Sequence, residues 1–181
     1  MELDLLEAAT KRINPELKTR LDQFNAARDR QNKLSSHREA LYGGDAVAGR
    51  KIFFERQDVA CFRCHKINGE GGDVGPELTG IGKRQTREYL LESILFPNAQ
   101  IAAGYENVVV TLKSGVSYAG QLKAETATEL TINAGEDGLV KVKKADVKTR
   151  ERGMSSMLEE LGNILGKRDL RDVVEFLMSA T

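Results

Sequence analysis

Both cysteines of this 181-residue chain, and one of its two histidines, fall within five adjacent residues, Cys61-Phe62-Arg63-Cys64-His65. A scaffold stapled by several disulfides needs more cysteines than this. A four-ligand Cys/His zinc finger would exhaust these residue types and leave none for a second site. Any chemistry that depends on them therefore happens at one place. Lys+Arg and Asp+Glu both number 27, so the formal net charge is zero. That balance excludes a nucleic-acid binder driven by bulk positive charge. With 40% hydrophobic and 30% charged residues, the chain is expected to be globular, as one domain or two small ones. No stretch approaches the ~18 consecutive apolar residues of a membrane span. The start, Met1-Glu2-Leu3-Asp4-Leu5-Leu6-Glu7, lacks the basic end and apolar centre of a signal peptide.

Residues 1–42 read as helical, with Leu3, Leu6, Leu17, Leu21, Phe24 and Leu34 at roughly helical spacing among charged residues. Asn14-Pro15 marks a break and restart, and 16–42 is expected to form one long polar helix. His37, in its charged segment, is expected to be an exposed residue of that helix. Asp45 can cap a helix over Ala46 to Glu55, and Thr86 one that runs to Leu95 before Pro97 stops it. Between them, Gly69 to Pro76 holds four glycines and a proline, which makes it a loop. From 105 to 150 the pattern turns to short alternating runs separated by Gly-containing turns. Four or five antiparallel strands are expected there, as a small sheet or closed barrel. Lys167 to Ser179 is again helical, with Leu170, Val173, Val174, Phe176 and Leu177 as its core stripe. The expected fold is mainly α, interrupted by a β insert.

Two thiols two residues apart, followed at once by His, form the attachment signature of c-type haem. On one helical turn Cys61 and Cys64 face the same way, so their sulfurs can form thioethers with two haem vinyl groups, and His65 can reach the iron. A CxxC redox pair would sit near a βαβ unit, which is missing here. A zinc site would need ligands beyond His37, and a structural disulfide would have no use for His65. Chance placement would require every cysteine of the chain to fall in the motif.

From Gly43 to the C-terminal helix the sequence resembles class I cytochromes c. It is most similar to the haem-binding domain at the C-terminus of large proteins from Planctomycetes and Verrucomicrobia. The resemblance is carried by Gly43-Gly44-Asp45, Gly49 to Phe54, the Cys-x-x-Cys-His segment and Gly71 to Gly82. It extends through Glu88 to Pro97 and Arg168 to Asp172. It implies a helical fold around one covalently bound haem c, divided here as a lead or linker (1–42), an attachment part (43–104), the β insert (105–150), and a distal loop with the last helix (151–181). It implies that Gly49 allows the first helix to cross the last, with Phe53 on Phe176. It also implies that the Pro76 carbonyl orients the His65 imidazole and that Leu78 lies against the haem. The distal iron ligand is implied to be Met157, in Ser155-Ser156-Met157, with Met154 as the alternative. Met1 is terminal and Met178 lies within the last helix. Leu158 stands where the family usually has proline, which leaves five-coordinate iron, His37 or a lysine as competing outcomes.

The resemblance implies a one-electron transfer module rather than an enzyme. Its partner would be a soluble redox protein or a dehydrogenase domain upstream in a larger exported protein. Haem of this type is attached outside the energised membrane, so a periplasmic location is expected, with Met1 falling inside a longer natural chain. Two other functions compete: a ligand sensor or peroxidase-like haem with an open distal position, and an interaction module acting through the β insert. That insert loosely resembles Sm-like small barrels. Its basic end (Lys141, Lys143, Lys144, Lys148, Arg150, Arg152) reads as a solvated face or a docking patch for an acidic partner, and not as a nucleic-acid site.

Overall fold

The computed structural model describes residues 2–180, so Met1 lies outside the described residues. The chain opens with α1 (Glu2–Thr10) and α2 (Pro15–Ala26). Asn14 caps α2: its side-chain oxygen accepts from the backbone N–H of Glu16 and Leu17 at 2.9 and 3.1 Å. The long helix expected over 16–42 ends at Ala26. Beyond it, Asp29 accepts from the Gln31 N–H and Asn32 from the Leu34 N–H, each at 2.9 Å. These local turns satisfy the backbone in place of helical hydrogen bonds. The segment then folds back through a 3-10 turn, Arg38–Ala40, that buries Glu39 and Ala40. His37 is consequently a half-buried turn residue and not an exposed helical one. Burial, helped by the nearby Lys167 charge, holds its pKa below the ordinary histidine value.

The helical body follows. Its longer members are α3 (Ala46–Glu55), α6 (Arg87–Leu95) and α8 (Lys167–Ser179), and its short ones are α4 (Cys61–Cys64), α5 (Ile81–Arg84) and α7 (Leu161–Ile164). A two-stranded hairpin, β1 (Lys66–Ile67) with β2 (Glu70–Gly71), follows α4. Asp45 and Thr86 cap α3 and α6 as expected from sequence. Helices α3 and α8 cross in contact. A Cβ at Gly49 would lie 1.9 Å from the Asp172 carbonyl oxygen, so only glycine allows this approach. The Phe53 and Phe176 rings meet beside the crossing at 5.6 Å. Phe53, Leu91, Leu170 and Val174 are the largest fully buried side chains of this core.

The β insert has its own core of Val108, Val110, Leu130, Ile132 and Val142. Its strands are β3 (Asn107–Leu112), β4 (Ser117–Glu125), β5 (Glu129–Asn133), β6 (Leu139–Lys143) and β7 (Val147–Arg152). The sheet is antiparallel throughout, in the order β6-β5-β4-β3-β7. Its first and last strands are neighbours, with Val108 opposite Arg152. The chain therefore enters and leaves the insert side by side. The last strand runs to Arg152, past residue 150, and the mainly α description suits the helical body rather than the whole chain.

Helix α1 and the turn segment after α2 are fastened to α8 by charge. Arg28 forms a fork on Glu39, with both contacts at 3.1 Å, and the Lys167 ammonium joins the same carboxylate. Arg168 reaches Glu7 at 2.7 Å and Arg171 reaches Asp4 at 3.1 Å. Burial opposes the Glu39 charge, but the hydrogen bonds from Arg28 and Lys167 outweigh it and hold the carboxyl below its ordinary value. Its contribution to stability is thus present above the unfolded-state pKa and is lost as pH falls through the lower folded value. Glu39→Gln should cost about 3 kcal/mol at neutral pH by denaturant unfolding. The gap to wild type should narrow as pH falls below the ordinary carboxylate range and through the lower folded value, where the wild-type carboxylate also becomes neutral.

Candidate functional site

Helix α4 is a single turn carrying Cys61 and Cys64, both free and half-buried. It is entered through Ala60, which holds left-handed backbone angles (φ 44°, ψ 39°). A non-glycine residue there costs on the order of 1 kcal/mol, and the strain lies directly against the motif. Burial pushes the Cys61 thiol up to about 11, so without a cofactor it is a neutral thiol at physiological pH.

His65 follows α4 in extended conformation. Its Nδ1–H donates to the Pro76 carbonyl at 2.9 Å, which fixes the tautomer and leaves Nε2 with no hydrogen-bond partner among the described residues. Burial lowers the His65 pKa and the Pro76 carbonyl only partly opposes it, so the ring is neutral, the form that can ligate a metal. The loop that supplies Pro76 is tied to the motif by backbone hydrogen bonds. Gly72 N–H donates to Phe62 C=O at 2.8 Å, Gly75 N–H to Cys64 C=O at 2.7 Å and Leu78 N–H to Lys66 C=O at 2.8 Å. The imidazole packs directly on this loop: a Cβ at Gly75 would lie 2.6 Å from His65 Cε1.

Leu78 and Met157 are half-buried and pack on the helical core, together with Cys61 and Phe62. Met154, three residues from Met157, is 63% exposed. The two candidate thioethers thus diverge: one meets the core and the other meets water. His37 shares a hydrogen bond with Ser36 Oγ at 2.9 Å. A zinc site would need a cluster of ligands, and among the described residues no group of three or more His, Cys, Asp or Glu is placed to hold a metal ion.

Three of the six basic residues at the end of the β insert have partners. Lys144 and Arg150 both bind Glu125, at 2.6 and 3.0 Å, and hold that exposed carboxyl down to about 2, with Arg150 the stronger influence. Arg152 donates to the Asn98 carbonyl at 3.1 Å. Lys141, Lys143 and Lys148 remain exposed.

Sequence reasoning missed two residues at the site. Asn98 Oδ1 accepts from the Ser155 N–H at 2.6 Å, and Asn107 Nδ2 donates to the Met154 carbonyl at 2.6 Å and to Ser156 Oγ at 3.0 Å. Asn98 follows a helix-stopping proline and Asn107 opens a strand, so both pass for ordinary boundary residues.

Residues 46–111 match the family model of cytochrome c. The match begins with α3, takes in α4 and the His65–Pro76 loop, and ends inside β3. The rest of the insert, the distal loop and α8 lie beyond it. No curated protein matches the chain. The match supports a class I cytochrome c domain acting as a haem-binding electron-transfer module, implies covalently attached haem c, and suggests redox partners. The residues present fit that group: two half-buried free thiols on one helical turn, then a neutral imidazole with Nδ1 engaged and Nε2 open. No helix among the described residues is long and apolar enough to cross a membrane.

Gly75→Ala places a methyl group against the imidazole. It should destabilise the holoprotein by roughly 1–3 kcal/mol in denaturant unfolding.

Proposed function

We propose that this chain is a mono-haem electron-transfer module in which His65 and Met157 would hold the haem iron. The observation that carries the reading is the His65 imidazole, oriented by Pro76 with Nε2 free, immediately after two free thiols on one helical turn. The bound haem supplies a one-electron ferric/ferrous couple. The Cys61 and Cys64 thiols would each add across one vinyl group, the S–C bond forming as the thiol hydrogen passes to the neighbouring carbon. His65 would donate its Nε2 lone pair, and the Nδ1–H bond to Pro76 would strengthen that donation. Leu78 would keep water from the ring. Met157 would supply a thioether, which raises the potential relative to a second histidine. Two permanent ligands would limit rearrangement on electron transfer and deny access to a substrate.

By its resemblance to C-terminal haem domains of large proteins, the module would serve a larger exported redox protein in the periplasm. It would receive electrons from a linked dehydrogenase domain or exchange them with a soluble partner. Exposed Lys141, Lys143 and Lys148 on the insert would favour an acidic partner.

The ferric absorption spectrum tests the ligand set. The weak long-wavelength charge-transfer band of thioether ligation should appear in wild type and in Met154→Ala, and disappear in Met157→Ala. A high-spin ferric spectrum in the wild type would contradict the two-ligand site.

A further inference from the structure

The segment from Gly153 to Glu159 has little apolar anchorage of its own. Met154 and Leu158 are 63% and 57% exposed, and only Met157 packs on the helical core. Leu158 also leaves the backbone after Met157 without the restriction a proline would impose. Two asparagines hold the segment instead. Asn107 accepts from the Gly153 N–H at 2.8 Å through its carbonyl, while its side-chain amide donates to the Met154 carbonyl and to Ser156 Oγ. Asn98 accepts from the Ser155 N–H through Oδ1, and its amide donates to the Glu159 carboxylate. Ser155 Oγ in turn accepts from the Met157 N–H at 3.1 Å, which closes the turn that presents the thioether.

The two anchors belong to different parts of the molecule. Asn98 follows α6 of the helical body, and Asn107 is the first residue of β3, held in register opposite Gln121 of β4. The loop is strung between the helical body and the root of the β insert. We propose that Asn98 and Asn107 are positioning residues that set the Met157 thioether against the haem iron, so that the insert is part of the scaffold of the redox centre and not a passenger on it. This rests on Met157 being the distal ligand.

The test uses ferric holoprotein, with backbone hydrogen exchange of the 153–160 segment read beside the thioether charge-transfer band and the reduction potential. Asn107→Asp keeps the shape but removes the amide donor. Loop exchange should rise roughly five- to thirtyfold, as expected for losing one or both hydrogen bonds of about 1 kcal/mol each. The band should weaken and the potential fall, while exchange in α3 and α8 stays at the wild-type rate. Asn98→Ala, which removes the other anchor, should act in the same direction, and Asn107→Gln, which retains an amide donor, should restore part of the band. Wild-type exchange and an unchanged band in both Asn107→Asp and Asn98→Ala would overturn the proposal. So would faster loop exchange with band and potential unchanged, since the asparagines would then support the loop without positioning the ligand. Met157→Ala reports on the underlying ligand assignment by itself: a band that persists there removes that assignment whatever the asparagine variants do.

Discussion

Helices α3 and α8 cross with a glycine of one against a backbone carbonyl of the other, and the rest of the molecule is arranged around that contact. The crossing joins segments more than a hundred residues apart, and Asp172 Oδ1 reinforces it by accepting from the Asp45 N–H at 2.9 Å. Phe53 and Phe54 pack on Phe176 beside it, at 5.6 and 6.2 Å between ring centroids. Because the helical body is closed here, the chain between α6 and the Met157 segment can leave as a loop and return. The five-stranded insert takes that option. It has its own core and neighbouring entry and exit strands, so it adds length without disturbing the helical packing.

The helical core closed by this crossing also backs the Cys61–His65 segment, with Cys61 and Phe62 packed against it. Burial keeps the Cys61 thiol and the His65 ring neutral, and neutral imidazole is the state able to bind iron. The Pro76 carbonyl then decides which ring nitrogen is available. The Gly75 backbone lies against the ring, so tautomer and orientation are set by the protein alone. What a redox centre needs from its protein is a fixed ligand geometry on both sides of the oxidation change. On the His65 side that geometry is built from backbone groups, which have little freedom to relax.

Much of this was legible in the chain because it depends on local chemistry. Asp45 and Thr86 cap helices where a short polar side chain precedes an apolar periodicity, and the Lys167–Ser179 stripe reads directly as a buried face. Gly49 and the Phe53–Phe176 contact came through the family resemblance, which carries information about distant pairs that periodicity lacks. The helix expected over 16–42 failed because Asp29 and Asn32 spend their side chains on local turns, a competition invisible to hydrophobic spacing. Strand β7 was obscured because Val147–Arg152 is mostly charged and its outward positions show no apolar alternation. Asn98 and Asn107 were silent because each bonds to a segment roughly fifty residues away, and only the fold brings the partners together.

Every role assigned to the site depends on covalent attachment of haem through Cys61 and Cys64. The direct measurement is the intact mass of the denatured protein after production together with a haem-attachment system. The predicted result is one species heavier than the polypeptide by one haem, with that increment surviving acid–organic extraction and absent from the Cys61→Ala, Cys64→Ala double variant. A polypeptide of unmodified mass, or haem that extracts freely from the wild type, would contradict it.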